Sequence, residues 1–292
     1  MRPAEIEIRF FQTYYFANVV KNVLGDQFAY IRHLNDFYGD EREFAFAKPF
    51  PRFSALHAFL EFIIDDLLSE TGDIHLPRRQ GQIEHFASAP QGMIPNPMML
   101  PINEAFRYYG IEHTSFGEWL QDSGKEFSDA EDDDVYEYYG ELRLEGAFQE
   151  LLDRAVDEVF YILFSNRSLL LNFNEMMSRQ IGGIDIDEAP EEFAGYFARS
   201  GVLFRVAVPQ WAKDAVYFRD RGRCVFCRCD LSGLITIGSD KNFDHVVPLA
   251  QGGLNDVTNL QLLCDACNSK KGAGDALTSD FYQAWYDLQG KS

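Results

Sequence analysis

Cysteine is scarce in this chain, with five in 292 residues. Five cannot build the paired framework of a small secreted domain, so a reducing cytoplasm is the expected compartment. Long apolar runs are missing too. The longest, Val159 to Phe164, is six residues, far short of the ~20 that a helix needs to cross a bilayer, and the opening MRPAEIEIRFF carries no signal-peptide pattern. No membrane association is expected. Also absent are an internal repeat, a phosphate-binding glycine loop with its lysine, and a dinucleotide fingerprint.

Positive charge is the other deficit: 26 Lys and Arg stand against 46 Asp and Glu, a formal net charge of −20. Such a balance fits poorly with a nucleic-acid partner if it is spread evenly. It is not. Residues 209–292 hold nine basic and ten acidic side chains, net −1, whereas residues 1–208 hold seventeen and thirty-six, net −19. The acidity belongs to the first part of the chain and leaves the last part near neutral.

What is present is apolar mass: 46% hydrophobic and 15% aromatic residues, enough for packed cores, over a length that favours two domains. Three stretches repeat apolar residues at spacings of three and four and are predicted helices: Pro3 to Leu24, Ser54 to Glu70 with Ser54 as N-cap, and Leu144 to Phe164. Gly72 to Pro101, with five prolines, reads as a long loop. Asp129 to Asp134 (DAEDDD) reads as a solvated loop ahead of the third helix. The alternative is a surface that mimics or repels nucleic acid and so restrains the rest of the chain. His33, His57, His75, His85 and His113 are scattered without ligand spacing and read as structural.

The chemistry gathers near the other end. Two Cys-x-x-C pairs, Cys224/Cys227 and Cys264/Cys267, lie 36 residues apart. Each pair aims two thiolates at one point, and two pairs complete a tetrahedral four-sulfur shell for Zn²⁺ with no open position, hence a structural site. Cys229 is a spare thiol or a substitute for Cys227. Between the pairs, Phe243 to Leu249 and Asn259 to Leu263 read as short strands around the glycine-bearing loop Ala250 to Thr258. Asp265 to about Lys271 then reads as a helix closed by Gly272. Pro209 to Arg221 is a predicted helix that packs Trp211, Val216 and Phe218 against this module. Leu277 to Leu288 is a predicted final helix, burying Phe281, Trp285 and Leu288.

Cys224, Cys227, Asp244, His245, Gly252, Gly253, Asn255, Asn259, Leu260, Cys264, Cys267, Asn268, Lys270, Lys271 and Gly272 occur in an order that resembles an HNH nuclease domain of the ββα-metal, or His-metal finger, class. The resemblance spans Pro209 to Gly274 and departs at Asn268, where histidine is common. It implies a zinc-stapled ββα-metal domain over residues 206–292, which with the mainly helical, acidic domain read over residues 1–205 makes an α+β architecture. It further implies metal-dependent endonuclease activity. His245, the only histidine of the segment, would be the general base. Asp244 and Asn268 would be hard oxygen ligands for Mg²⁺ or Mn²⁺. Asn259 would pin the loop that orients His245. Arg219, Arg223, Lys270 and Lys271 would meet phosphates. The implied substrate is double-stranded DNA. A protein partner such as a sensor or ATPase, or a second copy of the chain, would bind the acidic domain, as in a bacterial anti-phage or restriction effector. Two other readings stay open: a zinc-stapled module that binds nucleic acid or protein without cutting, and an HNH nuclease that cuts RNA.

Overall fold

The computed structural model describes residues 11–39, 42–69, 74, 76–86, 98–232 and 241–281. Thirteen α-helices and two small antiparallel sheets occur among them. In chain order these are α1 (Thr13–Gly25), α2 (Ile31–Tyr38), α3 (Arg42–Ala45), α4 (Ala55–Ser69), α5 (Leu76–Phe86), α6 (Pro101–Tyr109), α7 (Phe116–Asp122), α8 (Asp132–Leu144), α9 (Ala147–Leu163), α10 (Arg167–Gly183), α11 (Glu191–Ala194), β1 (Phe197–Arg199), β2 (Val202–Leu203), α12 (Gln210–Arg219), β3 (Lys241–His245), β4 (Leu260–Cys264) and α13 (Asp265–Lys271). No helix among the described residues is long and apolar enough to cross a membrane.

The chain divides into two compact units, Met1–Val19 with Leu60–Val159, and Val20–Phe59 with Phe160–Ser292. In the first, Phe116, Phe127 and Tyr138 cluster, and Asn103 donates to the buried Tyr138 hydroxyl at 2.6 Å. Two loop expectations are corrected here. Part of the proline-bearing stretch is helix α5, with Pro77 in the first turn, where a missing N–H costs nothing. The acidic run is the start of α8 rather than a solvated loop: Asp132, Asp133 and Asp134 occupy the first turn, where the helix dipole favours negative charge. Asp134 is buried, accepts from Glu131 N at 2.8 Å and pairs with Lys125.

In the second unit, the predicted N-cap holds. His57 N–H donates to Ser54 Oγ at 3.4 Å, and the His57 ring stacks on Phe160. A second cap comes from two hundred residues away, because the Asp256 carboxylate accepts from Ala55 N at 2.9 Å. α10 runs beneath the segment that carries the cysteines. Gly201, in the β1–β2 turn, and Gly252 adopt φ of +72° and +81°. A Cβ at Gly201 would lie 2.6 Å from Gly182 O, and one at Gly252 would lie 2.4 Å from Ser178 O. Both positions therefore demand glycine twice over, for conformation and for space.

The core of this region is built from Phe50, Ala212, Val216, Val225, Leu231, Val257, Leu260, Leu262 and Leu263, with Phe164, Val206 and Val208 against it. The zinc-knuckle segment thus shares its core with Phe50 and Phe164 and is not self-contained. α12 forms as predicted and buries Val216, with Trp211 half-buried. Phe218, expected inside, is 76% exposed. Residues 282–288 of the predicted last helix lie outside the described residues, as do residues 3–10 of the first. Leu277 to Asp280 are not helical.

Candidate functional site

β3 and β4 pair antiparallel in unbroken register, Lys241 opposite Cys264 through His245 opposite Leu260. Alternation along β3 therefore sends Asp244 and His245 to opposite faces. The register contains no bulge that would bring them to one side. Asp244 faces α13. Its Oδ2 lies 3.0 Å from Lys271 Nζ, Lys271 also donates to His245 O at 2.8 Å, and Asn242 donates to Asp265. Asp265, Asn268 and Lys271 are three residues apart and share one helix face, so the half-buried Asn268 occupies the middle of the face laid along β3. Gly272 closes the helix at φ +59° and ψ −153°, a conformation reserved for glycine.

His245, at the end of β3, is turned to the loop. The ring is 3% exposed, with Nε2 3.3 Å from Asn255 Oδ1. Asn255 Nδ2 donates to Phe204 O at 2.8 Å, which fixes the amide and leaves its oxygen facing the ring. That oxygen requires a proton on Nε2, so the lone pair resides on Nδ1, which is buried with no hydrogen-bond partner. Burial, and then the Arg205 charge, push the imidazole down to about 4, so it is neutral at physiological pH. The exposed Arg205 had no place in the sequence reading, and the buried Asn255, one of the residues that carry the resemblance, was given no role.

Asn259 does pin the loop. Its side chain accepts from Val247 N at 2.8 Å and donates to Val247 O at 3.0 Å and Leu254 O at 2.9 Å, fully buried. Asn259→Ala would strand three backbone groups, each worth about 1–3 kcal/mol when buried unpaired. The expected loss is about 3 kcal/mol of stability, read from denaturant midpoints at constant slope; a loss under about 1 kcal/mol would contradict the pinning.

The four cysteine sulfurs lie within 4.8 Å of one another, with Cys227 and Cys264 Sγ 3.7 Å apart. A zinc tetrahedron with bonds of about 2.3 Å has edges of about 3.8 Å, so the donor set fits the ion. The electrostatics agree. Cys227 falls to about 6, first because Cys229 N–H donates to it, while burial pushes Cys267 up. A divalent cation held by the cluster would favour the ionised form of all four thiols. Cys229 is exposed beside it.

The expected phosphate contacts divide. Arg223 and Lys270 are exposed. The Arg219 side chain is 2% exposed, paired with Asp220 and donating to Leu260 O at 2.6 Å. Lys271 is engaged with Asp244 and His245. These two are corrected from phosphate contacts to internal braces.

Comparison with known families gives a match over this same segment. Residues 224–274 match the HNH endonuclease family model. The match leaves residues 1–223 without a family. No curated protein and no solved structure matches the chain. The HNH segment supports a nuclease-type function acting on nucleic acid.

Proposed function

We propose that the HNH segment is a metal-dependent endonuclease site hydrolysing phosphodiester bonds, with duplex DNA as substrate. The observation that carries this reading is Asp244 on β3 facing the Asn268 side of α13 within the segment that matches the HNH model. Two carbon-bound oxygens on facing elements suit a hard cation. A divalent ion held by Asp244 and Asn268 would offset charge on the phosphate oxygens and the departing 3′ oxygen. His245 lies on the face of β3 opposite Asp244, so for Nδ1 to take the proton of the attacking water its ring would turn from the loop toward the ion, with Asn259 holding the loop behind it. The exposed Arg205, Arg223 and Lys270 would contact the phosphates. The zinc cysteines hold the scaffold and take no part in the chemistry. Residues before 206, with the acidity, would carry a regulatory or partner-binding role of the sort found in defence effectors.

The near-complete burial of the His245 ring favours a second reading, a nucleic-acid-binding module that does not cut. Plasmid incubated with the intact protein and Mg²⁺ or Mn²⁺ separates them. Cleavage that falls by at least a hundredfold in His245→Ala and in Asp244→Ala, with zinc content retained, supports the nuclease. A loss below tenfold in His245→Ala points to another base, and no cleavage by the wild-type protein supports the binder.

A further inference from the structure

The Asp244 carboxylate is held by one oxygen. Lys271 Nζ lies 3.0 Å from Oδ2 and Gln261 Nε2 3.3 Å from the same atom. Oδ1 has no hydrogen bond among the described residues. Gln261 sits directly opposite Asp244 in the ladder and is fully buried, a polar side chain in the apolar run LQLLC. Its amide is not free to turn. Nε2 also donates to Leu277 O at 2.8 Å, and a flip would set Oε1 against two acceptors at once. Oε1 is itself buried without a donor, an expense that a fold accepts only where the other end of the amide is needed.

Leu277 is secured in turn. Its N–H donates to Val246 O at 3.3 Å, Gln251 donates to Gly274 O, and Arg167 donates to Ser279 O at 2.8 Å. Residues 274–279 therefore form a strap against β3 and β4, lying almost wholly beyond the matched segment and reaching the site through Gln261.

We propose that Gln261 is a positioning residue for the nuclease site. With Lys271 it occupies Oδ2 of Asp244, so that Oδ1 is the oxygen offered to a divalent cation. Residues 274–279 brace Gln261 in that role. The proposal rests on the nuclease reading given above, and the ligand it concerns is the cation at Asp244. Groups that orient a metal ligand typically change affinity by about 10–100-fold when removed.

The test is Mn²⁺ binding to the intact, zinc-loaded protein, followed by the electron paramagnetic resonance of the free ion. Gln261→Met removes the donor at similar volume. Gln261→Asn keeps a buried amide but is too short to span Asp244 and Leu277. Both are expected to weaken Mn²⁺ binding by about tenfold or more, with zinc content and melting temperature near wild type. Lost stability alone would leave the Mn²⁺ affinity of the folded protein unmoved. Asp244→Ala is the reference. If it loses the Mn²⁺ site and both Gln261 variants retain wild-type affinity, the positioning role is overturned and the nuclease reading stands. If Asp244→Ala binds Mn²⁺ as the wild type does, both fall.

Discussion

Removing zinc with a strong chelator is expected to unfold the β3–β4–α13 segment. Its strands are five residues each and its helix seven, and a two-stranded hairpin with one short helix is marginal in water. Among the described residues, the backbone bond that ties the first cysteine pair's loop to β4 is Val225 N to Leu262 O at 3.0 Å. Four sulfurs close the loop from Cys224 to Cys267, and the ion contributes on the order of 10 kcal/mol in small zinc domains, more than any other single element here. The expected readout is loss of the near-UV signal around Trp211 and protease cleavage between residues 224 and 274, both reversed by Zn²⁺. Metal-free protein that keeps both properties would show that the sulfurs are merely buried thiols.

A fragment starting near residue 200 is expected to fail to fold even with zinc bound. Truncation removes Phe50 from the core, a loss of about 3–5 kcal/mol by analogy with large-to-small core changes. It strips Asn255 O of the Phe50 N donor at 2.7 Å and Asp256 of Ala55 N. Burial already pushes the Asp256 carboxylate up, so each lost donor raises the cost of keeping it ionised, about 1–3 kcal/mol per stranded group. Arg167, bonded to Asp220 and Ser279 O, goes as well, as does Asn174, which donates to Thr258. The sum is of the same order as the whole stability of most small domains, about 5–15 kcal/mol. A soluble fragment with a cooperative thermal transition would refute this. The truncation therefore cannot measure restraint by the acidic region; charge-neutralising changes at the exposed Asp132 and Asp133 address that question with the fold intact.

The local parts of this picture were legible in the sequence. Cysteine spacing foretold the four-sulfur cluster, Gly272 the end of α13, and Ser54 the start of α4, because each is decided within a few residues. The acidic run misled because length and charge favoured a loop, although Glu131 and Asp134 have the spacing of a capping box. The docking of the Gly252 loop on α10 could not be read. It depends on residues some seventy apart meeting backbone to backbone, and no periodicity records that. Arg219 and Arg223 looked alike in RDRGR; only the position of Asp220 inside the core separates the buried one from the exposed one.

Ser178 and Gly182 near the end of α10 receive Gly252, and Gly182 receives Gly201, main chain against main chain. Side chains can rotate to absorb a shift between packed layers, whereas peptide planes have no such slack. Any displacement of α10 must therefore drag the Gly252 loop along as a lever, and with it Asn255 and the imidazole that Asn255 holds.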